Sequence, residues 1–206
     1  EKNSFKKFLN FGNLNFNFLK SLKYKNYNYK NKKILIFYDN SYGFNGVCTT
    51  KQYIEYLKFI LTFMSKNNQI YFFLKIKNNN INQNNETKSI KRIIENIQLL
   101  KNHVKNLKFE NNYRLSKYSS INISLPFSST INENILENKK ILIMDVSRYY
   151  INQKKHLYNK LKIVFKNYKK LEKEIINCYF QEPIKDRSGP YSKIINREIG
   201  NYNDKS

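Results

Sequence analysis

A short hydroxyl-rich turn is the part of the sequence whose residue types best suit ligand chemistry. It consists of Ser128, Ser129 and Thr130. Thr130 and Glu133 match the capping-box pattern, so we predict that a helix starts at Thr130. Free N–H groups and the positive end of the dipole at a helix start favour an anion. The turn is therefore a candidate phosphate site, with simple helix capping as the alternative interpretation.

Two predicted strands flank this turn. Residues 121–125 begin with alternating apolar and polar side chains, and residues 141–144 form a continuous apolar run. Ile131 and Ile135 give the intervening helix an apolar stripe. A strand, a helix and a second strand form a βαβ unit, which indicates a parallel sheet with helices on its faces. Such sheets bind ligands beyond the carboxyl ends of their strands, which is where the turn lies.

The other apolar runs extend this unit into a doubly wound α/β domain with a parallel, Rossmann-like sheet. The predicted strands comprise residues 34–38, 70–74, 107–109, 121–124 and 141–144, and the predicted helices comprise residues 50–64, 89–104, 112–118, 130–136, 154–165 and 168–179. Lys75 and Lys77 follow the second strand and reach the same edge as the turn. Two lysines at that edge can meet a phosphate as point charges, although coincidence in a lysine-rich chain explains them equally well.

The sequence around the turn resembles a known family. Residues 121–145 read INISLPFSSTINENILENKKILIMD, and this pattern is similar to the nucleotide-sugar-binding half of bacterial surface-polysaccharide glycosyltransferases of the GT-B fold. In that family the turn and helix start hold the donor diphosphate, and the helix glutamate faces the donor ribose or sugar. The resemblance assigns these roles to Ser128, Ser129, Thr130 and Glu133. The family usually has alanine after the glutamate, where this chain has Asn134.

The resemblance covers roughly residues 33–199. A lysine–any residue–lysine pattern follows the corresponding strand of the family, which implies that Lys75 and Lys77 contact the donor. The family also tends to end with an aspartate, a glycine and then a serine that opens an isoleucine-rich helix. Asp186, Gly189 and Ser192 match this outline.

These observations predict one main domain. We expect a linker or the remnant of a preceding domain in residues 1–32, the nucleotide-sugar-binding domain in residues 33–199 and a tail in residues 200–206. The sequence starts at Glu1 rather than at a methionine, so we expect a fragment or a trimmed chain that lacks the acceptor domain. In the family that domain usually supplies the general base, and no catalytic residue is assigned within these residues.

The formal net charge of +23 would ordinarily indicate nucleic acid. The excess, however, is of lysine together with asparagine, isoleucine, tyrosine and phenylalanine, all of which have AT-rich codons. Arginine, which reads bases and phosphates bidentately, is scarce. Composition therefore argues against nucleic acid and indicates a lysine-coated surface, which also suits peripheral association with an anionic membrane.

Cysteine and histidine are too sparse to indicate a metal site. Cys48 and Cys178 lie far apart in the sequence, and His103 and His156 have no motif around them. We therefore expect no metal, no disulfide framework and no Ser–His triad. With neither a signal-peptide pattern nor an apolar run of membrane-spanning length, we predict a cytoplasmic protein, peripheral at the inner face of the membrane.

The resemblance implies a glycosyltransferase that moves a sugar from a nucleotide diphosphate sugar to a glycan or lipid-linked acceptor in capsule or lipopolysaccharide synthesis. The nucleotide-sugar is a substrate, and no separate cofactor is expected. A helix dipole and cationic side chains can stabilise the departing diphosphate in such a site. Two alternatives stay open. One is a nucleotide-sugar 2-epimerase-like or glycerol-phosphate polymer transferase domain. The other, which rests on charge, is a basic nucleic-acid-binding or organellar ribosomal protein.

Overall fold

A five-stranded, all-parallel sheet forms the centre of the computed structural model, which describes residues 33–43, 46–76, 85–104, 115, 119–136 and 139–180. The strands are β1 (Ile34–Tyr38), β2 (Tyr71–Lys75), β3 (Ser119–Ser124), β4 (Lys140–Met144) and β5 (Val164–Phe165). The helices are α1 (Thr50–Lys66), α2 (Asn85–Gln98), α3 (Ser129–Leu136), α4 (Tyr149–Asn152), α5 (Leu157–Lys160) and α6 (Tyr168–Phe180). The predicted α/β fold with a parallel sheet is confirmed.

The strand order is β2-β1-β3-β4-β5, and every neighbouring pair is parallel. β2 therefore lies on one side of β1, whereas β3 lies on the other. This reversal of direction between β1 and β3 is a topological switch point. In open α/β sheets, ligands bind in the crevice at the carboxyl edge of such a point.

The chain also runs beside the outer edge of β2. The Phe72 N–H donates to the Asn102 carbonyl over 3.1 Å, and the Val104 N–H donates to the Phe72 carbonyl over 2.9 Å. His103 thereby forms a parallel bridge with Phe72. This segment takes the position of a sixth strand at the outer edge of β2. When it is counted with the others along the chain, the spatial order of the strands becomes 3-2-1-4-5-6, which is typical of the Rossmann fold. The predicted strand at 107–109 lies outside the described residues.

Helices cover both faces of the sheet. Successive strand residues point to opposite faces, and β4 shows this separation clearly. Leu142 and Met144 belong to a buried cluster with the apolar sides of α1, α2 and α6. Ile141 and Ile143 belong to a second cluster with α3 and the residues of the α4–α5 region. The doubly wound arrangement is thus present among the described residues.

α1 begins as the sequence predicts. The Thr49 hydroxyl accepts the Gln52 N–H, and the Gln52 side chain accepts the Thr49 N–H, which completes a capping box. The Gln52 side-chain amide also donates to the Val146 carbonyl over 2.9 Å. The start of α1 is therefore fastened to the loop that follows β4.

Several predicted bounds are corrected by the structure. The helix predicted at 89–104 is α2, which starts at Asn85 and ends at Gln98 because the chain then turns toward the edge of β2. The helix predicted at 154–165 is wrong: α5 has four residues, and Lys162 has a left-handed φ of +55°. After Lys162 the chain pairs with β4 as β5. The predicted strand 70–74 is shifted by one residue in β2.

A pair of buried asparagines joins α3 to the sheet. Asn122 on β3 and Asn134 on α3 are both fully buried. The Asn122 amide donates to the Asn134 side-chain carbonyl over 2.5 Å, and the Asn134 amide donates to the Thr130 carbonyl over 2.7 Å. Asn134, at a position where the family that the sequence resembles usually has alanine, thus has a structural role. It fixes the first turns of α3 against β3.

We predict that Asn134→Leu lowers the free energy of unfolding by about 1–3 kcal/mol, because the Asn122 amide would keep its desolvation cost with only the long 3.4 Å bond to the Lys140 carbonyl left. Urea unfolding measures this change. The Asn122→Leu/Asn134→Leu double variant should lose less than the sum of the two single variants, since it leaves no unpaired amide. Ser120→Ala, on the exposed side of β3, is the control. Simple additivity would contradict the pairing.

Candidate functional site

A cleft of about 330 Å³ opens at the switch point of the sheet. It lies where β1, β2 and β3 end and where α3 begins. The residues that line it are Tyr38, Asp39, Asn40, Lys75, Phe127, Ser128 and Ser129. The cleft therefore combines one cation, one carboxylate, one amide, two serine hydroxyls and two aromatic side chains at the edge where this fold binds ligands.

The structure brings three of the six predicted site residues to this cleft. Lys75, Ser128 and Ser129 line it together. Parallel pairing of Tyr38 with Lys75 and the 3.2 Å bond from the Asp39 N–H to the Lys75 carbonyl put the lysine there. Lys77 lies outside the described residues. The roles of these residues in binding a donor stay predictions.

The turn before α3 is held from two sides. The Asn40 amide donates to the Pro126 carbonyl over 2.7 Å, and the Asn40 side-chain carbonyl accepts the Ser41 N–H over 2.8 Å. On the other side, the Phe127 N–H donates to the Tyr150 hydroxyl over 3.2 Å. Phe127 itself has a left-handed φ of +58°. These bonds position the hydroxyl-rich turn without any contribution from a charged group.

The start of α3 differs from the prediction by one residue. The Ile131 N–H donates to the Ser128 carbonyl over 3.1 Å, so the first helical turn closes at Ser129 rather than at Thr130. Thr130 is 1% exposed, and its hydroxyl lies 2.6 Å from the Ser128 hydroxyl. Thr130 therefore supports the turn from inside, whereas Ser128 and Ser129 line the cleft. The predicted capping box between Thr130 and Glu133 is not formed.

Two buried oxygen atoms beside α3 lack a hydrogen-bond partner. They are the hydroxyl of Tyr38, a residue only 2% exposed, and Oε2 of Glu133. Burial raises the pKa of Tyr38, and the nearby charge of Glu133 raises it further. Burial also raises the pKa of Glu133. An unsatisfied buried polar group costs about 1–3 kcal/mol. Of these two residues, Tyr38 lines the cleft, whereas Glu133 is not among the lining residues.

Sequence reasoning missed Asp39 and Asn40 as site residues. They directly follow β1. Residues at the carboxyl end of a parallel strand lie at the ligand-binding edge, so the signal that identified Lys75 was present for them as well. Asp39 Oδ2 accepts the Tyr53 hydroxyl over 3.1 Å, which orients the carboxylate. A carboxylate repels phosphate but accepts hydroxyl groups. The cleft can therefore bind a ligand that carries both an anion and hydroxyls.

The two cysteines are free thiols. Burial raises the pKa of both Cys48 and Cys178 to about 11, which keeps them protonated and poorly nucleophilic at neutral pH. The described residues contain no group of three or more His, Cys, Asp or Glu side chains that could hold a metal ion. Asp186, Gly189 and Ser192 lie outside the described residues.

Comparison of the chain with protein-family models, with curated proteins and with solved structures found no match. None of the described helices is both long enough and apolar enough to cross a membrane. The interpretation of the cleft therefore rests on its own geometry and on the sequence pattern around the turn.

We predict that Glu133→Gln stabilises the chain at neutral pH and that this gain disappears at acidic pH. The folded-state pKa of Glu133 is raised, so the natural chain loses stability as pH rises through the interval between the unfolded-state and folded-state pKa values. Below that interval both states carry a protonated Glu133 and the loss is absent. Glutamine does not ionise, so the variant avoids this loss.

Urea midpoints measured over a pH series test this dependence. Glu95→Gln, an exposed position on α2, is the matched control and should show no comparable pH-dependent gain. A Glu133→Gln effect of equal size at every pH would mean that ionisation of Glu133 does not affect stability.

Proposed function

We propose that this chain is the donor-binding domain of a glycosyltransferase that uses a nucleotide diphosphate sugar in surface-polysaccharide synthesis. The observation that carries the proposal is the cleft at the switch point, where Lys75 faces the same space as the Ser128–Ser129 turn. The resemblance of residues 121–145 to GT-B glycosyltransferases supports it. The cleft lining and the family resemblance both include the Ser128–Ser129 turn.

The diphosphate is proposed to lie at the start of α3. The first N–H groups of a helix have no intrahelical acceptor, and the helix dipole places partial positive charge there. The hydroxyls of Ser128 and Ser129 add donors, and Lys75 adds a full positive charge. These groups stabilise the negative charge that develops on the diphosphate as the sugar leaves. Thr130, which is buried, contributes through the Ser128 hydroxyl rather than by direct contact.

The two carboxyl groups are proposed to bind hydroxyls of the donor. Glu133 lies one helical turn beyond Ser129, and its Oε2 is without a partner. Asp39 directly follows β1 and lines the cleft. A carboxylate accepts hydrogen bonds from ribose or sugar hydroxyls, and bonds to a charged acceptor are the stronger ones. The separation of cationic and anionic groups thus orients the donor.

The acceptor is proposed to be a glycan or a lipid-linked molecule at the cytoplasmic face of the inner membrane. The net charge of +23 favours contact with anionic lipid, because each lysine or arginine near such a surface contributes about 1 kcal/mol. The general base that activates the acceptor is not assigned. In the family that this sequence resembles, a second domain usually supplies it.

We predict that Lys75→Met weakens binding of uridine or guanosine diphosphate about tenfold or more, since a hydrogen bond to a charged group contributes about 1.5–3 kcal/mol. Calorimetric titration measures the affinities. The natural chain should also bind more weakly as salt increases, and the variant should show a smaller salt dependence. Lys66→Met, an exposed lysine at the end of α1, is the control. An equal loss of affinity in both variants would indicate a nonspecific effect of net charge and would exclude a specific contact between Lys75 and the phosphate.

We predict that Glu133→Ala weakens binding of nucleotide diphosphates and nucleotide-sugars by about 1.5–3 kcal/mol through the loss of charge-assisted bonds to the donor. Titration of these ligands into both proteins measures the difference, and Glu95→Ala serves as the exposed control. If no nucleotide binds at millimolar concentration, the donor-site proposal fails. If Glu133→Ala binds as tightly as the natural chain, Glu133 has no donor role.

A further inference from the structure

Two exposed aromatic rings stand beside the candidate phosphate site. Phe127 lines the cleft and is 48% exposed, and Tyr149, the first residue of α4, is 45% exposed. Their ring centroids lie 4.6 Å apart, with the planes tilted by 59°. Single exposed aromatic rings are ordinary on protein surfaces. Here, however, the two rings contact each other, and one of them lines a polar cleft, so two aromatic faces at an angle are available beside it.

The backbone fixes the position of both rings. Tyr150 is 5% exposed, and its ring centroid lies 5.3 Å from that of Phe127 and 5.4 Å from that of Tyr149. The Tyr150 hydroxyl accepts the Phe127 N–H, and Asp145 Oδ1 accepts the Tyr149 N–H over 3.1 Å. These bonds hold the backbone of both residues, and both rings contact the buried Tyr150 ring. Positioning before binding reduces the entropic cost of stacking a ligand.

We infer that Phe127 and Tyr149 stack the base of a nucleotide whose diphosphate lies at the start of α3. This inference rests on the proposed function, because it extends the same site. Two peptide units separate Phe127 from Ser129, so their Cα atoms are at most about 7.6 Å apart. A ribose bridges a base and its phosphate over a distance of this scale. Phe127 can therefore contact the base while the turn binds the phosphate, and Tyr149, which contacts Phe127, extends the aromatic surface.

An independent observation supports a ligand at this place. Tyr38 also lines the cleft, is 2% exposed and has a hydroxyl without a partner. Stacking on an aromatic ring requires no match at a base edge, because every nucleobase has a π face. The pair consequently recognises nucleotides as a class, with little selection among bases.

Calorimetric titration with uridine diphosphate, guanosine diphosphate and inorganic pyrophosphate tests this assignment. The Phe127→Leu/Tyr149→Leu variant keeps apolar side chains but removes both π faces. It should bind the two nucleoside diphosphates on the order of tenfold more weakly, as expected from the contribution of base stacking. Its affinity for pyrophosphate should be unchanged. Tyr149→Phe retains the ring and should bind like the natural chain.

Phe180→Leu, an exposed ring at the end of α6, is the matched control, and unchanged thermal unfolding establishes that each variant is folded. If the natural chain binds pyrophosphate as tightly as uridine diphosphate, or if the double variant retains its affinity for both nucleoside diphosphates, the stacking assignment is overturned while the diphosphate site stands. If binding of uridine diphosphate glucose falls but that of uridine diphosphate does not, the rings hold the sugar, and the base assignment is overturned. If neither pyrophosphate nor a nucleoside diphosphate binds, the proposed function fails and the inference fails with it.

Discussion

The pairing of β1 with neighbours on both sides is the constraint on which the candidate site depends. All five residues of β1 are buried, and the strand is parallel to β2 on one side and to β3 on the other. Because α1 packs on one face and α3 on the other, the connections that follow β1 and β3 diverge. The space between them is the cleft. Its position is therefore a consequence of strand order rather than of any single side chain.

Neutral side chains then hold this cleft in shape. Asn40 bonds the Pro126 carbonyl, Asn122 bonds Asn134, and the Tyr150 hydroxyl accepts the Phe127 N–H. Amides and a phenol can satisfy buried backbone and side-chain groups without placing a charge beside the helix start. The charged side chains that line the cleft are Lys75 and Asp39, and the dipole of α3 adds partial positive charge at the turn. This arrangement keeps the turn suited to an anion while fixing its geometry.

The charge of the side chains that line the cleft differs from the strongly positive net charge of the chain as a whole. The chain carries a formal charge of +23, yet the residues that line the cleft include one lysine and one aspartate. Asp39 is oriented by Tyr53, and Glu133 is half-buried one turn into α3. A positive and a negative side chain thus both line the cleft, which suits the proposed ligand with its diphosphate and hydroxyl groups. A uniformly basic surface would attract any polyanion.

The sequence alone determined the α/β class, most of the strands and the approach of Lys75 to the Ser128–Ser129 turn, because apolar periodicity and the carboxyl-edge rule depend on local order along the chain. Tertiary structure decided the rest. β5 and the end of α2 depend on pairing with sheet edges, which no local pattern records. The start of α3 shifted to Ser129 because Thr130 and Asn134 are buried against β3, where Asn122 bonds Asn134. The aromatic pair likewise joins two segments, because Phe127 and Tyr149 contact each other and both contact the buried Tyr150 ring.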